Sequence, residues 1–266
     1  MMDRRWKRRA AALLAALALT IPAHAAQIEV DGQTLSASDA WVEEGTSYVT
    51  LRAFSTLTGR TLTWTGEEAR LAGAGLTLEA VPGALYVTAN GRALYVPGGV
   101  RAEHGVTVLP LSVVASAAGA GLTWDGESAA ARLKLAGAVP PQASYDETDL
   151  YWLSRIISAE SRGEPLLGQI AVGNVVLNRV NSGQFPNTVK EVVFDRKYGV
   201  QFEPVSNGTI YDRPTDSAML AAKLCLEGAA PVGDSLYFYA PALSAGTWIS
   251  TSRAYYGTIG CHKFYE

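Results

Sequence analysis

Little in this chain can hold a metal. Its 266 residues include 3 His and 2 Cys, and His24 falls in the N-terminal leader-like stretch. Zinc hydrolases usually recruit several His ligands. His104 and His262 are far apart in sequence, so no metal and no cofactor is expected. Charge is also sparse, at 18% of residues. The formal net charge of -3 hides a split, because residues 1–25 hold five basic residues against one acidic. Without them 17 basic and 24 acidic residues remain, a net of -7. An acidic chain is a poor partner for nucleic acid, and none is expected. Long apolar runs are missing too. The run Ala10–Ile21 is too short to span a bilayer comfortably.

That run has another reading. A basic start, Arg4 to Arg9, precedes it, and Pro22 with Ala23-His24-Ala25 follows. This is the pattern of an export signal over residues 1–25, cleaved after Ala25. The mature protein is expected to be exported, with no stable membrane insertion. In an exported chain Cys225 and Cys261 either pair as a disulfide or stay as two free buried thiols.

What the chain does have is an internal repeat over residues 27–136. GTSYVTLRAFSTLTGRTLTWTGEEARL begins at Gly45, and GVTVLPLSVVASAAGAGLTWDGESAAARL begins at Gly105. At an offset of 60, Gly59 meets Gly119 and Leu62-Thr63-Trp64 meets Leu122-Thr123-Trp124. Each unit reads as strand, short helix ending at its Gly, strand through the Trp, and turn. Trp64 and Trp124 are candidates for sugar stacking, but Trp at matching repeat positions reads first as shared core. Between the units, Leu76 to Val96 alternates like strands, with turns at Pro82-Gly83 and Asn90-Gly91. This segment resembles the copper amine oxidase N-terminal-like domain, a small α+β module. Wall attachment is the role considered for it. The name implies no copper here, since His104 has no companion ligand.

Residues 137–147 form the linker, broken by Pro140-Pro141. Residues 148–266 then make a second domain. DLYWLSRIISAESRGEP, from Asp149, reads as a helix with Leu153, Ile157, Glu160 and Glu164 on one face. Gly163 and Pro165 are expected to stop it. Glu160 thus lies on a stripe that faces inward. Loss of water favours a neutral carboxyl and raises its pKa, which makes a general acid usable near neutral pH. The alternative is a salt bridge to Arg179 or Arg162.

A second, nearly all-apolar helix is expected over about Leu166–Val180, with Gly168 and Gly173 permitting close packing. Its polar exceptions Gln169, Asn178 and Arg179 either serve the site or satisfy backbone groups. Thr188 caps a short helix through Val193. The stretch Tyr198–Arg213 reads as an irregular polar loop, with Gln201 and Phe202 at a cleft floor. A helix over Asp216–Glu227 follows. Strand-like stretches then run over Ser235–Tyr239 and Tyr255–Phe264, with Thr247-Trp248 in a loop between them. Tyr237 and Tyr239 share a strand face suited to a carbohydrate cleft, or are ordinary half-exposed aromatics. A Cys–His peptidase built on Cys261 and His262 is disfavoured, because adjacent strand residues point to opposite faces.

SAESRGEPLLGQIAVGNVVLNRV, FPNTVKEVVF, QFEPVSNG, LYFYAP, TW and IGCHKFY run in the order of the SleB/CwlJ cell wall hydrolase family, which residues 149–266 resemble throughout. The resemblance implies a lysozyme-like α+β domain that cuts the glycan of peptidoglycan, in spore cortex or cell wall; a monomer is expected. It places the catalytic acid at Glu160 and other polar blocks at Gln169, Asn178, Arg179, Gln201, Tyr237, Tyr239 and His262. Ala240 departs from it, where the family commonly has Asn. A hydrolytic glycosidase needs two carboxyls. Glu164, Asp195, Glu203 and Asp212 are the candidates for the second, whereas a lytic transglycosylase works with Glu160 alone.

Overall fold

A computed structural model describes residues 27–126, 128–197, 199–244 and 247–266. The expected export signal lies outside them, as does Tyr198. The fold is α+β, with a strand-rich N-terminal part and a helical part that ends in a small sheet.

In the N-terminal part, β1 (Gln27–Val30), β2 (Gln33–Thr34), β3 (Ala40–Glu43) and β4 (Thr46–Thr50) lead into helix α1 (Leu51–Thr58). Then come β5 (Thr61–Trp64), β6 (Ala69–Gly73), β7 (Leu76–Ala80), β8 (Tyr86–Ala89) and β9 (Arg92–Tyr95). The second unit is β10 (Arg101–Glu103), β11 (Val106–Pro110), α2 (Leu111–Ala118), β12 (Gly121–Asp125) and β13 (Ala130–Lys134). Both repeat helices end at a left-handed glycine, Gly59 at φ 63 and Gly119 at φ 64. Gly119 has a second reason to lack a side chain, since a Cβ there would overlap the Val139 carbonyl oxygen.

The strands form three sheets, ordered β12-β13-β1-β2, β10-β11-β4-β3 and β5-β6-β7-β8-β9. Leu51, Phe54, Leu71, Leu109, Leu111 and Leu133 fill the shared core. The two repeat tryptophans are not in it. Trp64 and Trp124 are each 58% exposed, against the core reading. They lie on β5 and β12, edge strands whose residues are exposed along most of their length.

A helix that starts at Glu147 takes the last residue of the expected linker; the rest has no helix or strand, yet it is tied down. The Ala143 amide donates to the Asn90 carbonyl at 3.2 Å, and Asn90 Nδ2 donates to the Pro141 carbonyl at 3.4 Å. Across the domain boundary, Arg92 grips both carboxylate oxygens of Glu227 and donates to the Ser116 carbonyl at 2.8 Å. Ala93 packs into the hydrophobic core of the second domain.

The second domain opens with α3 (Glu147–Ser161), whose N-cap Asp146 accepts from the amides of Thr148 and Asp149. It continues with α4 (Leu166–Asn181), α5 (Val189–Val193) capped by Thr188, and α7 (Asp216–Leu226), with α6 (Glu203–Asn207) and a 3-10 turn at Thr209–Tyr211 in the stretch expected to be irregular. Helices α3, α4 and α7 meet at Gly173, where a Cβ would come within 2.7 Å of both Cys225 Sγ and Ile157 Cδ1. Beyond them, β14 (Tyr237–Tyr239), α8 (Thr247–Ser252), β15 (Tyr255–Ile259) and β16 (His262–Tyr265) complete the chain. The sheet order is β14-β16-β15. Thr247 and Trp248 therefore open a helix rather than lying in a loop. The last strand-like stretch is a hairpin turning at Gly260-Cys261.

Two further expectations change. Helix α3 stops at Ser161, and its cap Arg162 is right-handed, so Glu164 sits in the following turn rather than on the helix stripe. Cys225 and Cys261 are both free. Cys225 is buried on α7 with its thiol directed to the Ile170 carbonyl at 3.3 Å, while Cys261 is exposed at the hairpin turn. No bridge joins them.

Candidate active site

Periodicity in α3 puts Leu153, Ile156 and Ile157 fully inside. Glu160, on the last turn, follows them inward and is partly buried. Among the described residues no hydrogen bond or ion pair engages its carboxyl, so the salt bridge weighed against the acid reading does not form. Burial pushes its pKa from 4.5 up to about 7, the negative charge of Glu203 adds to the rise, and Arg179 opposes it. A group poised there is protonated in a large fraction of molecules at neutral pH and can also accept a proton back.

Arg179 reaches the site from the last turn of α4. It is buried, and its Nε donates to the Leu236 carbonyl at 2.8 Å. Aromatic rings surround its guanidinium: Phe185 at 4.9 Å, Phe202 at 5.2 Å and Tyr237 at 5.8 Å. Cation–π contacts of this kind hold a guanidinium where water is scarce. Burial lowers its pKa to about 10, against the pull of Tyr237, Asp195 and Glu160, so it remains cationic at neutral pH. Its Nη1 is buried without a hydrogen-bond partner. An unpaired buried donor is costly, and a ligand oxygen would relieve that cost.

Tyr237 forms the other wall. Trp248 meets it edge-on at 5.5 Å, and the Arg253 guanidinium lies over it at 4.5 Å. Thus the structure brings together Glu160, Arg179, Phe202 and Tyr237, with Phe185, Glu203, Trp248 and Arg253 around them. Arg253 gave no signal in the sequence. Its contacts with Tyr237 and Trp248 arise from tertiary packing, not from a motif.

The other expected site residues have partners of their own. Gln169 is buried and donates to the Glu164 carbonyl at 2.9 Å. Asn178 donates to the carbonyls of Gly233 at 2.7 Å and Ser235 at 2.9 Å. Both satisfy backbone groups. Gln201 precedes Phe202 and donates to the Gly199 carbonyl at 3.2 Å. Tyr239 stacks on Tyr265 at 5.8 Å. His262 is buried against Phe238, with Nδ1 at 3.8 Å from Glu164, and burial lowers its pKa, favouring the neutral ring. Glu164 itself accepts from the Cys261 amide at 2.9 Å and is nearly sealed from solvent. It is committed to the hairpin and is not free to act as a second carboxyl. Among the described residues, no group of three His, Cys, Asp or Glu is placed to hold a metal ion.

Residues 163–265 match the family described as Cell Wall Hydrolase, and residues 29–133 match the Copper amine oxidase N-terminal domain. Glu160 precedes the first of these matched stretches. A spore cortex-lytic enzyme of Bacillus cereus is 40% identical over 120 residues, which cover 45% of this chain and 45% of that enzyme. The chain therefore spans less than half the length of that relative. The cell wall hydrolase CwlJ of Oceanobacillus iheyensis is 32% identical over 103 residues, 36% of this chain and 72% of that protein. Among solved structures, the catalytic domain of the germination-specific lytic transglycosylase SleB from Bacillus anthracis is 38% identical. It covers 47% of this chain and all of its own length, with a TM-score of 0.43.

Proposed function

The chain belongs to the cell wall hydrolase family, and from that premise we propose that it cleaves the glycan strand of peptidoglycan at muramic acid by lytic transglycosylation, with Glu160 as the single acid and base. The observation that carries this reading is a partly buried, unpartnered carboxyl with its pKa raised to about 7. In its neutral form Glu160 gives its proton to the glycosidic oxygen as the bond to C1 breaks. The carboxylate then takes the proton of the same sugar's 6-hydroxyl as that oxygen bonds to C1. An anhydro ring closes, Glu160 regains its proton, and no water is consumed. Arg179 stabilises the transient carboxylate, and its unpaired Nη1 supplies a donor for a substrate oxygen. Trp248, exposed beside the buried Tyr237, offers a face on which a sugar ring rests.

The names of its relatives support spore cortex as one substrate, and the leader-like N terminus supports export to the wall. Among the described residues no helix is long and apolar enough to cross a membrane.

Hydrolysis is the second reading, favoured by one fact: the negative charge of Glu203 acts on Glu160. A second carboxylate in that position could activate water. Mass spectrometry of the muropeptides released from cortex and vegetative wall separates the two. Anhydro-muramic ends, lost in Glu160→Gln, establish transglycosylation. Reducing ends make water the acceptor, and a collapse of cleavage in Glu203→Gln then marks Glu203 as its base. If neither wall yields fragments, the glycan reading falls.

A further inference from the structure

The N-terminal domain carries a groove with the chemistry of a second sugar site. It opens where the start of β4, the start of α2 and the edge strand β12 come together, and its volume is 460 Å³. Ligand pockets commonly enclose about 300–1,000 Å³. Trp124 and Leu122, both exposed, make its apolar surface. Thr46, Ser47, Ser112 and Thr123 add hydroxyls along the lining, and no lining residue is charged.

We propose that this groove binds the uncharged N-acetylated glycan of the same wall polymer, separately from the Glu160 site. A pyranose ring has an apolar face that matches an exposed indole and a polar edge that matches hydroxyls. A charged ligand would lose hydration there and meet no counter-charge. Neutral lining against neutral sugar is what selects the occupant. The identity of the polymer rests on the glycan reading above, and the groove rests on the N-terminal domain alone.

The repeat supplies an internal control. Trp64 occupies the matching position and is as exposed as Trp124. At the start of its helix, however, Arg52 takes the place that Ser112 has in the second unit. Only the second unit combines the indole with a small hydroxyl there. It also makes Ser112→Arg a probe that leaves Trp124 in place. Ser112 is exposed, and an arginine is already accommodated at the equivalent position, so the variant is expected to fold.

The test uses the full mature chain carrying Glu160→Gln, so that bound glycan is not cut. Binding is measured by co-sedimentation with intact peptidoglycan, whose sugar chain is uncharged because each muramic lactyl carboxyl is amide-linked. It is also followed by tryptophan fluorescence during titration with the soluble β-1,4-linked tetramer of N-acetylglucosamine. Trp124→Ala and Ser112→Arg are each expected to weaken polymer binding about tenfold, the size of one good aromatic contact. Trp64→Ala should leave it unchanged, and Trp124→Ala in the otherwise unaltered enzyme should cut short soluble fragments at the normal rate. Equal binding by the parent, Trp124→Ala and Ser112→Arg overturns the proposal. If the unaltered enzyme still releases glycan fragments in that case, the Glu160 reading stands without the groove. If it releases none and the parent does not bind the polymer, both readings fall together.

Discussion

Glu160 and Glu164 stand four residues apart, and the helical spacing alone puts them on one stripe. The fold gives them opposite fates. Glu160 ends α3 partly buried, with no partner and a raised pKa. Glu164 lies in the next turn, where it accepts from the Cys261 amide and faces His262. The lesson is that burial alone does not set a carboxyl's role; its partners decide what burial leads to. A buried carboxylate with a donor is a staple. One without a donor keeps its proton available for chemistry.

The sharpest way to break this contrast is to exchange the two roles. Glu160→Gln is expected to lower glycan cleavage by about 10²–10⁴-fold, the usual contribution of a positioned acid or base, with an unchanged circular dichroism spectrum. Per folded molecule, Glu164→Ala should cut at close to the parental rate. Rates of muropeptide release measure both. If Glu164→Ala stays folded and loses cleavage, the division between the two glutamates is wrong.

The same contrast predicts a stability difference with a definite sign. The folded-state pKa of Glu160 is raised from 4.5 to about 7. Its neutral form is therefore the one the fold prefers. Stability from this preference is complete below pH 4.5, falls as pH rises from there to about 7, and is gone above that. Glu160→Gln escapes this loss. At pH 8 it should be more stable than the parent by at most on the order of 3 kcal/mol, and at pH 4 the difference should vanish. Urea unfolding at the two pH values checks it. Equal stability at pH 8 would mean that Glu160 is not desolvated in solution. Glu164→Ala should move the other way, losing about 0.5–1.5 kcal/mol because the Cys261 amide loses its acceptor.

Much of the frame was readable in the chain. The offset of 60 predicted two strand–helix–strand units, and the left-handed Gly59 and Gly119 close both helices as expected. The inward position of Glu160 was readable too, because helical periodicity is local. What escaped was long-range. Trp64 and Trp124 lie exposed on strands that end up at sheet edges. Gln169 and Asn178 look like site residues until the carbonyls of Glu164, Gly233 and Ser235 are placed beside them. The partner of Glu164 comes from a hairpin near the end of the chain. The cage of Phe185, Phe202 and Tyr237 around Arg179 joins three separate segments, and no spacing rule announces it.

The finest distinction concerns what tunes Glu160 once it is left unpartnered. Burial is the largest cause of its raised pKa, with Glu203 second and Arg179 opposing. Cleavage needs the protonated acid, so the rate should fall as pH rises through about 7. Removing the negative charge in Glu203→Gln makes ionisation of Glu160 easier. Its pKa falls, and the alkaline limb of the pH–rate profile should move to lower pH by less than about one unit, while the maximal rate is kept. Hydrolysis with Glu203 as base predicts a different result, a collapse of the maximal rate itself. A shifted limb with an intact plateau would leave Glu160 as the single acid, and would make Glu203 a charge that sets its working pH.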